Sequence, residues 1–298
     1  MKPPRFDYYD PRTLQEALEI LDAHQGDGKV LAGGQSLMPL LNMRLARPKV
    51  VVDINRIQAL SYIRPMESGV AIGANARQRA LQQENLIAER LPLLREAAYY
   101  IAHPQIRSRG TICGSLAHAD PAAELPALAM ALDAELVATG LRGARTIPSD
   151  SFFLSFFTTD LQPNEILTEV RFPAPPKDMA WSILEVSRRH GDFALVGIVA
   201  GLAVDQERQA VTDARLIYFG VGPTPIRVKQ AERALIGQRP AEAAWDAAAR
   251  VAGQGIDPSN DIHATEEYRR AVAATLTKRA LRAALGKLKD LNASTGSA

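Results

Sequence analysis

Ala32-Gly33-Gly34-Gln35-Ser36-Leu37 follows the strand-like run Lys29-Val30-Leu31. A helical pattern runs from Leu37 to about Leu45, and Val50-Val51-Val52-Asp53 reads as the next strand. The order is strand, glycine turn, helix, strand. Adjacent glycines let the backbone take positive φ and approach a ligand closely. Successive backbone N–H groups can then form an anion-binding nest, and the N-terminus of the following helix adds its dipole. Ser36 can donate to a phosphate oxygen or cap that helix. The same residues also suit a plain tight turn, so both readings stand. The stretch is not a G-x-G-x-x-G fingerprint, and no G-x-x-x-x-G-K-[ST] occurs in the chain.

A second glycine loop, Arg109-Gly110-Thr111-Ile112-Cys113-Gly114-Ser115, leads into Leu116-Ala117-His118-Ala119-Asp120-Pro121-Ala122-Ala123-Glu124-Leu125-Pro126. Small residues, two hydroxyls and two carboxylates are packed together there. Asp120 is expected to cap a helix that Pro121 opens and that runs to about Leu132. Glu124, one turn in, is suited either to the helix start or to gripping a ribose or polyol through two hydroxyl hydrogen bonds. Gly220-Val221-Gly222-Pro223-Thr224-Pro225 reads as a turn between strand and helix, because two prolines remove two N–H donors.

Residues 1–55 read as a small α/β unit, with Leu14, Ala17, Leu18 and Leu21 at helical spacing. Residues 56–175 alternate strands and helices. Tyr62-Ile63 and Val70-Ile72 flank a turn, helical pattern runs from about Arg77 and again around Leu91–Ile101, and strands Glu135–Ala138 and Ile166–Phe172 close the segment. Pro173-Ala174-Pro175-Pro176 marks a boundary. Residues 177–288 form a separate domain of three strands, Trp181–Val186, Leu195–Val204 and Ala214–Phe219, followed by helices. Its last helix places Tyr268, Val272, Leu276 and Leu281 on one face. Residues 289–298 read as a disordered tail.

The chain has 298 residues, 47% apolar, 23% charged, with a net charge of +2. That leaves ample material for a core and excludes a general nucleic-acid binder, which carries a clustered basic excess. One cysteine, Cys113, cannot close an internal disulfide or hold an iron–sulfur cluster. The five histidines show no zinc-type spacing, so no metal site is read here. No catalytic nucleophile is read either, since Cys113 has no evident base and no G-x-S-x-G appears. No apolar run approaches the roughly 18–20 residues of a membrane span, and the N-terminus lacks a signal-peptide core. A cytoplasmic protein with no integral membrane segment is expected.

Ala32–Leu37, Thr111–Ser115, Glu124-Leu125-Pro126 and Arg189-His190-Gly191-Asp192-Phe193-Ala194-Leu195-Val196 together resemble the FAD-binding medium subunit of the molybdenum hydroxylases, the xanthine dehydrogenase and carbon monoxide dehydrogenase family. The resemblance spans about residues 1–285. It implies an α+β chain. A two-subdomain FAD-binding fold of the vanillyl-alcohol-oxidase (PCMH) type, 1–55 and 56–175, would precede a small α+β C-terminal domain with a three-stranded sheet plus helices. It also implies that the loop of Ala32, Gly33, Gly34, Gln35, Ser36 and Leu37 holds the FAD pyrophosphate. Thr111, Gly114 and Ser115 would contact phosphate and ribityl groups, and Glu124 the cofactor's hydroxyls. The segment Ala102-His103-Pro104-Gln105-Ile106-Arg107 and Leu167 would lie near the flavin ring, and Ile101 would be a further cofactor-binding residue. Two positions depart from the family pattern. Cys113 stands where glycine is usual, and Leu184 where some members carry lysine.

The implied function is electron transfer. Electrons would pass from [2Fe-2S] clusters in a small partner subunit, fed by a large molybdopterin subunit, through FAD to an external acceptor. The implied assembly is a dimer of heterotrimers, and the large subunit would choose the substrate. A self-contained FAD-dependent oxidoreductase, with residues 177–288 forming a substrate site, is the alternative.

Overall fold

The computed structural model describes residues 1–24, 26–205 and 207–295, the side chains of 291–295 apart. The chain is α+β and divides into two compact units. The first comprises Met1–Leu91, His103–Ala119 and Asp133–Pro173; the second comprises Pro92–Ala102, Asp120–Leu132 and Ala174–Ala298.

Among the described residues, the first unit holds three sheets. Three parallel strands run in the order Asp7–Tyr9, Val50–Asp53, Gly28–Leu31. Val50, Val51 and Val52 of the central strand are fully buried, as expected for a parallel strand covered on both faces. Leu14–Ala23 packs beside this sheet through Ala17, Leu18 and Leu21. Thr13 and Glu16 close a reciprocal capping box at its start. The second sheet is antiparallel, in the order Ile63–Met66, Gly69–Gly73, Ile166–Pro173, Glu135–Gly140, Gly143–Pro148. A small hairpin pairs Phe153–Ser155 with Thr158–Thr159.

Several elements end where local chemistry requires it. The helix after the first glycine turn spans Leu37–Asn42, not Leu37–Leu45. Arg44 takes φ 61, Leu45 N–H returns to Leu40 O and Arg44 N–H to Leu41 O. This is a Schellman closure with arginine in glycine's usual place. The helical pattern from Arg77 is two short pieces, Ala80–Gln83 and Asn85–Arg90, and that around Leu91–Ile101 is Pro92–Ala97, because Glu84 is extended and Pro92 breaks the ladder.

In the second unit an antiparallel sheet runs Met179–Ser187, Ala194–Asp205, Ala210–Phe219, Ile226–Arg227. The expected three strands gain a short fourth, so Gly220–Pro225 joins two strands rather than a strand and a helix. On one face lies the core of Ile198, Leu202, Leu216, Tyr218, Trp245, Leu276 and Leu281. On the other, glycines make room for rings. A Cβ on Gly197 would fall 2.0 Å from the Phe219 ring, and one on Gly201 would fall 2.8 Å from that of Trp181.

The last helix runs Glu266–Thr295. Leu276 and Leu281 face the core, but Tyr268 is 46% exposed. Its neighbour Arg269 is buried instead, donating to Leu195 O, Gly220 O and Asp261. Of the expected tail, 289–295 continue this helix. Residues 296–298 lie outside the described residues.

Candidate functional site

The first glycine turn leaves the parallel sheet at Leu31. Gly34 takes φ +72, the left-handed region that favours glycine. The Gly33, Gly34, Gln35 and Ser36 backbone N–H groups donate to no partner among the described residues. Their carbonyls are different. Asn55 Nδ2 donates to Ala32 O at 2.6 Å, and Gln35 Nε2 to Gly33 O at 3.0 Å. In a trans peptide the C=O of one residue and the N–H of the next point opposite ways. Tying these two carbonyls back therefore aims the N–H groups of Gly33 and Gly34 away from Asn55 and Gln35. Ser36 makes no side-chain capping bond. The helix that begins at Leu37 is only six residues long, so bare N–H groups, more than a long helix dipole, make this loop attractive to an anion.

The second loop is shorter than its sequence suggests. Thr111 is the N-cap of a helix Ile112–His118, and its Oγ1 accepts from Gly114 N at 3.0 Å. A Cβ on Gly114 would fall 2.5 Å from that oxygen, so glycine is what lets this cap form. Ser115 N–H returns to Thr111 O. Cys113 lies in the first turn with no positive φ and is buried, its Sγ 3.7 Å from Ile72 O. Its replacement of glycine therefore strains nothing, and burial pushes the thiol's pKa up. Asp120 is not the helix cap expected of it. Its Oδ1 accepts from Ala122 N in a local turn, Ala123 is extended, and the next helix begins at Glu124.

The two loops meet backbone to backbone. A Cβ on Gly33 would sit 2.5 Å from Arg109 O, 2.6 Å from Gly110 Cα and 2.9 Å from Thr111 N. A Cβ on Gly114 would be 3.8 Å from that of Ala32. Residues that sequence reasoning missed hold this junction. Arg77 Nη1 donates to Arg109 O at 2.5 Å, and Nη2 to Asn55 Oδ1 at 2.6 Å. Asp53 accepts from Asn55 N and Nδ2, and from Tyr8 OH. The bond to Asp53 pushes the Tyr8 hydroxyl up to about 12. Asp53-Ile54-Asn55, an Asx turn leaving a buried strand, was the only signal of this arrangement in the sequence.

Of the remaining expected residues in this unit, Ile106 lies in the short helix Pro104–Arg107, and its carbonyl accepts from Gly110 N at 2.7 Å. Leu167 is buried at a bulge in Ile166–Pro173. Ile101, Ala102 and Glu124 belong to the second unit. Ile101 is buried, and Ala102 takes φ 40. Glu124 opens a helix whose residues are nearly all buried. Burial pushes its carboxyl up to about 7. Glu185 is driven to about 8, first by burial and then by the Glu124 charge.

Among the described residues, no group of three or more His, Cys, Asp and Glu side chains could hold a metal ion, and no helix is long and apolar enough to cross a membrane. Residues 4–175 match the family model described as the FAD binding domain in molybdopterin dehydrogenase. Residues 181–284 match that of the CO dehydrogenase flavoprotein C-terminal domain. The chain is 43% identical to the 6-hydroxypseudooxynicotine dehydrogenase complex subunit alpha of Paenarthrobacter nicotinovorans, covering 97% of each. It is 39% identical to the carbon monoxide dehydrogenase medium chain of Hydrogenophaga pseudoflava, covering 95% of this chain and 98% of that one. Solved structures agree. Carbon monoxide dehydrogenase from Hydrogenophaga pseudoflava superposes with a TM-score of 0.92 at 40% identity, covering 96% of this chain and 99% of that one. Quinoline 2-oxidoreductase from Pseudomonas putida 86 gives 0.92 at 33% identity, covering 97% and 99%. The chain therefore belongs to the FAD-binding medium subunits of the molybdenum hydroxylases, the oxidoreductase family of carbon monoxide dehydrogenase and xanthine dehydrogenase.

Proposed function

We propose that this chain carries FAD within a heterotrimer. There it passes electrons from the [2Fe-2S] clusters of a small partner subunit to an external acceptor, while a large molybdopterin subunit oxidises the substrate. One observation supports the FAD site most directly. Four consecutive N–H groups, Gly33 to Ser36, have no hydrogen-bond partner among the described residues, and their loop is braced against Arg109–Thr111. Such a row of donors suits the charged oxygens of a diphosphate.

Bound FAD supplies the electron-carrying chemistry. The chain's own residues bind and orient it. Ala32 to Leu37 present the pyrophosphate donors, and Thr111, Gly114 and Ser115 form the second wall of the phosphate site. The Ser36 hydroxyl, not used in capping, adds a donor. Ile106 and Leu167 supply apolar surface toward the flavin. No residue here is assigned a catalytic role in substrate oxidation, and the chain works in the cytoplasm.

The test is purification from the host with whatever remains attached. FAD, iron and molybdenum should co-elute with this chain in a constant ratio across the peak, as a dimer of heterotrimers. A chain that elutes free of iron and molybdenum, yet oxidises a substrate by itself, would overturn the assignment in favour of a self-contained oxidoreductase.

A further inference from the structure

Asn55 and Arg77 lie between the two glycine loops, Arg77 opposite Thr111 in an isolated β-bridge, and the side chain of each hydrogen-bonds a backbone carbonyl of one loop. Asn55 Nδ2 bonds Ala32 O in the first loop. Arg77 Nη1 bonds Arg109 O in the second. A third bond, from Arg77 Nη2 to Asn55 Oδ1 at 2.6 Å, joins the two side chains. Asp53 fixes the Asn55 amide by accepting from Nδ2 at 2.5 Å and from the backbone N at 2.9 Å. The amide orientation follows, because only Nδ2 facing Ala32 O leaves Oδ1 to accept from arginine.

We propose that Asn55 and Arg77, anchored by Asp53, form a clamp that sets the spacing of the two glycine loops and the direction of the Gly33 N–H, which makes them positioning residues for FAD. Three observations carry this. The clamp ends on the two peptides that meet at Gly33, since Arg109 O lies 2.5 Å from where a Gly33 Cβ would stand. Tying Ala32 O toward Asn55 turns the Gly33 N–H the opposite way. Gln78, beside Arg77, binds Gly110 O through its backbone N, and its side-chain oxygen closely backs Gly110 Cα. The Ala76 carbonyl accepts from Ile112 N, so the segment after Gly73 supports the second loop at three successive residues. Arginine is required in this role because one planar guanidinium reaches two acceptors at once, which a lysine ammonium on a flexible stem does not do in fixed geometry. The inference rests on the assignment of these loops to the FAD phosphates.

The test uses the full chain stripped of flavin, with FAD affinity measured by titration and the melting temperature of each apo variant recorded alongside. The variants are Arg77→Met, Arg77→Lys, Asn55→Ala and the double variant Asn55→Ala/Arg77→Met. Each single loss should weaken FAD about tenfold or more, and Arg77→Lys should fall between wild type and Arg77→Met. The double variant should be no weaker than the poorer single, within about twofold, because both side chains act through one clamp. Unchanged affinity, additive losses, or losses that merely follow the apo melting temperature would each overturn the proposal.

A second readout needs no FAD. Amide exchange around Arg109–Ile112 should quicken in Asn55→Ala, although Asn55 makes no hydrogen bond to that loop. Exchange there at the wild-type rate would show that the two loops are not coupled through Arg77. Should wild type take up no FAD, the FAD assignment fails, and this second arm still decides whether the clamp exists.

Discussion

A Cβ added at Gly33 would meet Arg109 O and Gly110 Cα, both backbone atoms that cannot swing aside. At Gly34 the nearest atoms are the flexible side chains of Leu31 and Met38, and the constraint is φ +72. Adjacent glycines thus answer different demands, one for close approach and one for a left-handed turn. Gly33→Ala should separate the loops and strip FAD from the purified chain, read as the ratio of flavin to protein absorbance. Full flavin occupancy in that variant would refute the loop packing. Gly34→Ala should cost about 1–2 kcal/mol of folding stability, the strain of a left-handed non-glycine residue, and should retain more flavin than Gly33→Ala. The glycine pair was legible in the sequence, but its division of labour was not, because the partner loop lies more than seventy residues away. The same holds for Cys113. The sequence raises a question of strain there, and the helix beginning at Ile112 answers it.

At the scale of elements, the strand Ala194–Asp205 shows how sequence pattern and packing agree. Gly197 stands opposite Phe219 in register, and the Phe219 ring fills the space a side chain would take. Gly197→Ala should therefore destabilise the chain by about 1–3 kcal/mol through overpacking, read by chemical denaturation. The buried strands and the amphipathic helix Leu14–Ala23 were legible because their periodicity reports burial directly. The strands Asp7–Tyr9 and Gly143–Pro148 were not, since both are mostly exposed and are held by pairing rather than by an apolar face. The start of the helix at Glu124 was also misread. Pro121 and Asp120 look like a helix opening, yet Asp120 spends its oxygen on Ala122 N and delays the helix by a turn.

Glu124, buried, and Glu185, half-buried, also belong to this scale, as two carboxyls of the second unit whose charges act on each other. Their carboxyls titrate near 7 and 8 in the fold, against about 4.3 in an unfolded chain. A raised folded-state pKa means the folded chain holds protons that the unfolded chain releases. Stability of the isolated chain should therefore be greatest at low pH among these groups and decline from about pH 4.5 to pH 8. Melting curves should show the decline, and Glu185→Gln should flatten its upper part. An unchanged slope in Glu185→Gln would remove that carboxyl as its source.

At the largest scale, the family assignment makes the chain an FAD-carrying subunit. Its single cysteine is buried in the first unit, and no metal-binding cluster appears among the described residues. The two recognisable loops and the C-terminal segment from Arg189 were enough to indicate the family, because their order and spacing over about 160 residues are far more specific than any one of them. The clamp behind the loops was not indicated, since Arg77 sits in no motif and acquires its role only when the chain folds back. We propose that this chain binds FAD by itself. Its most direct test is the visible spectrum of the purified chain after incubation with FAD and removal of the excess. We predict a flavin spectrum with one FAD per chain, released intact on denaturation. A colourless protein that retains no added FAD would contradict the account.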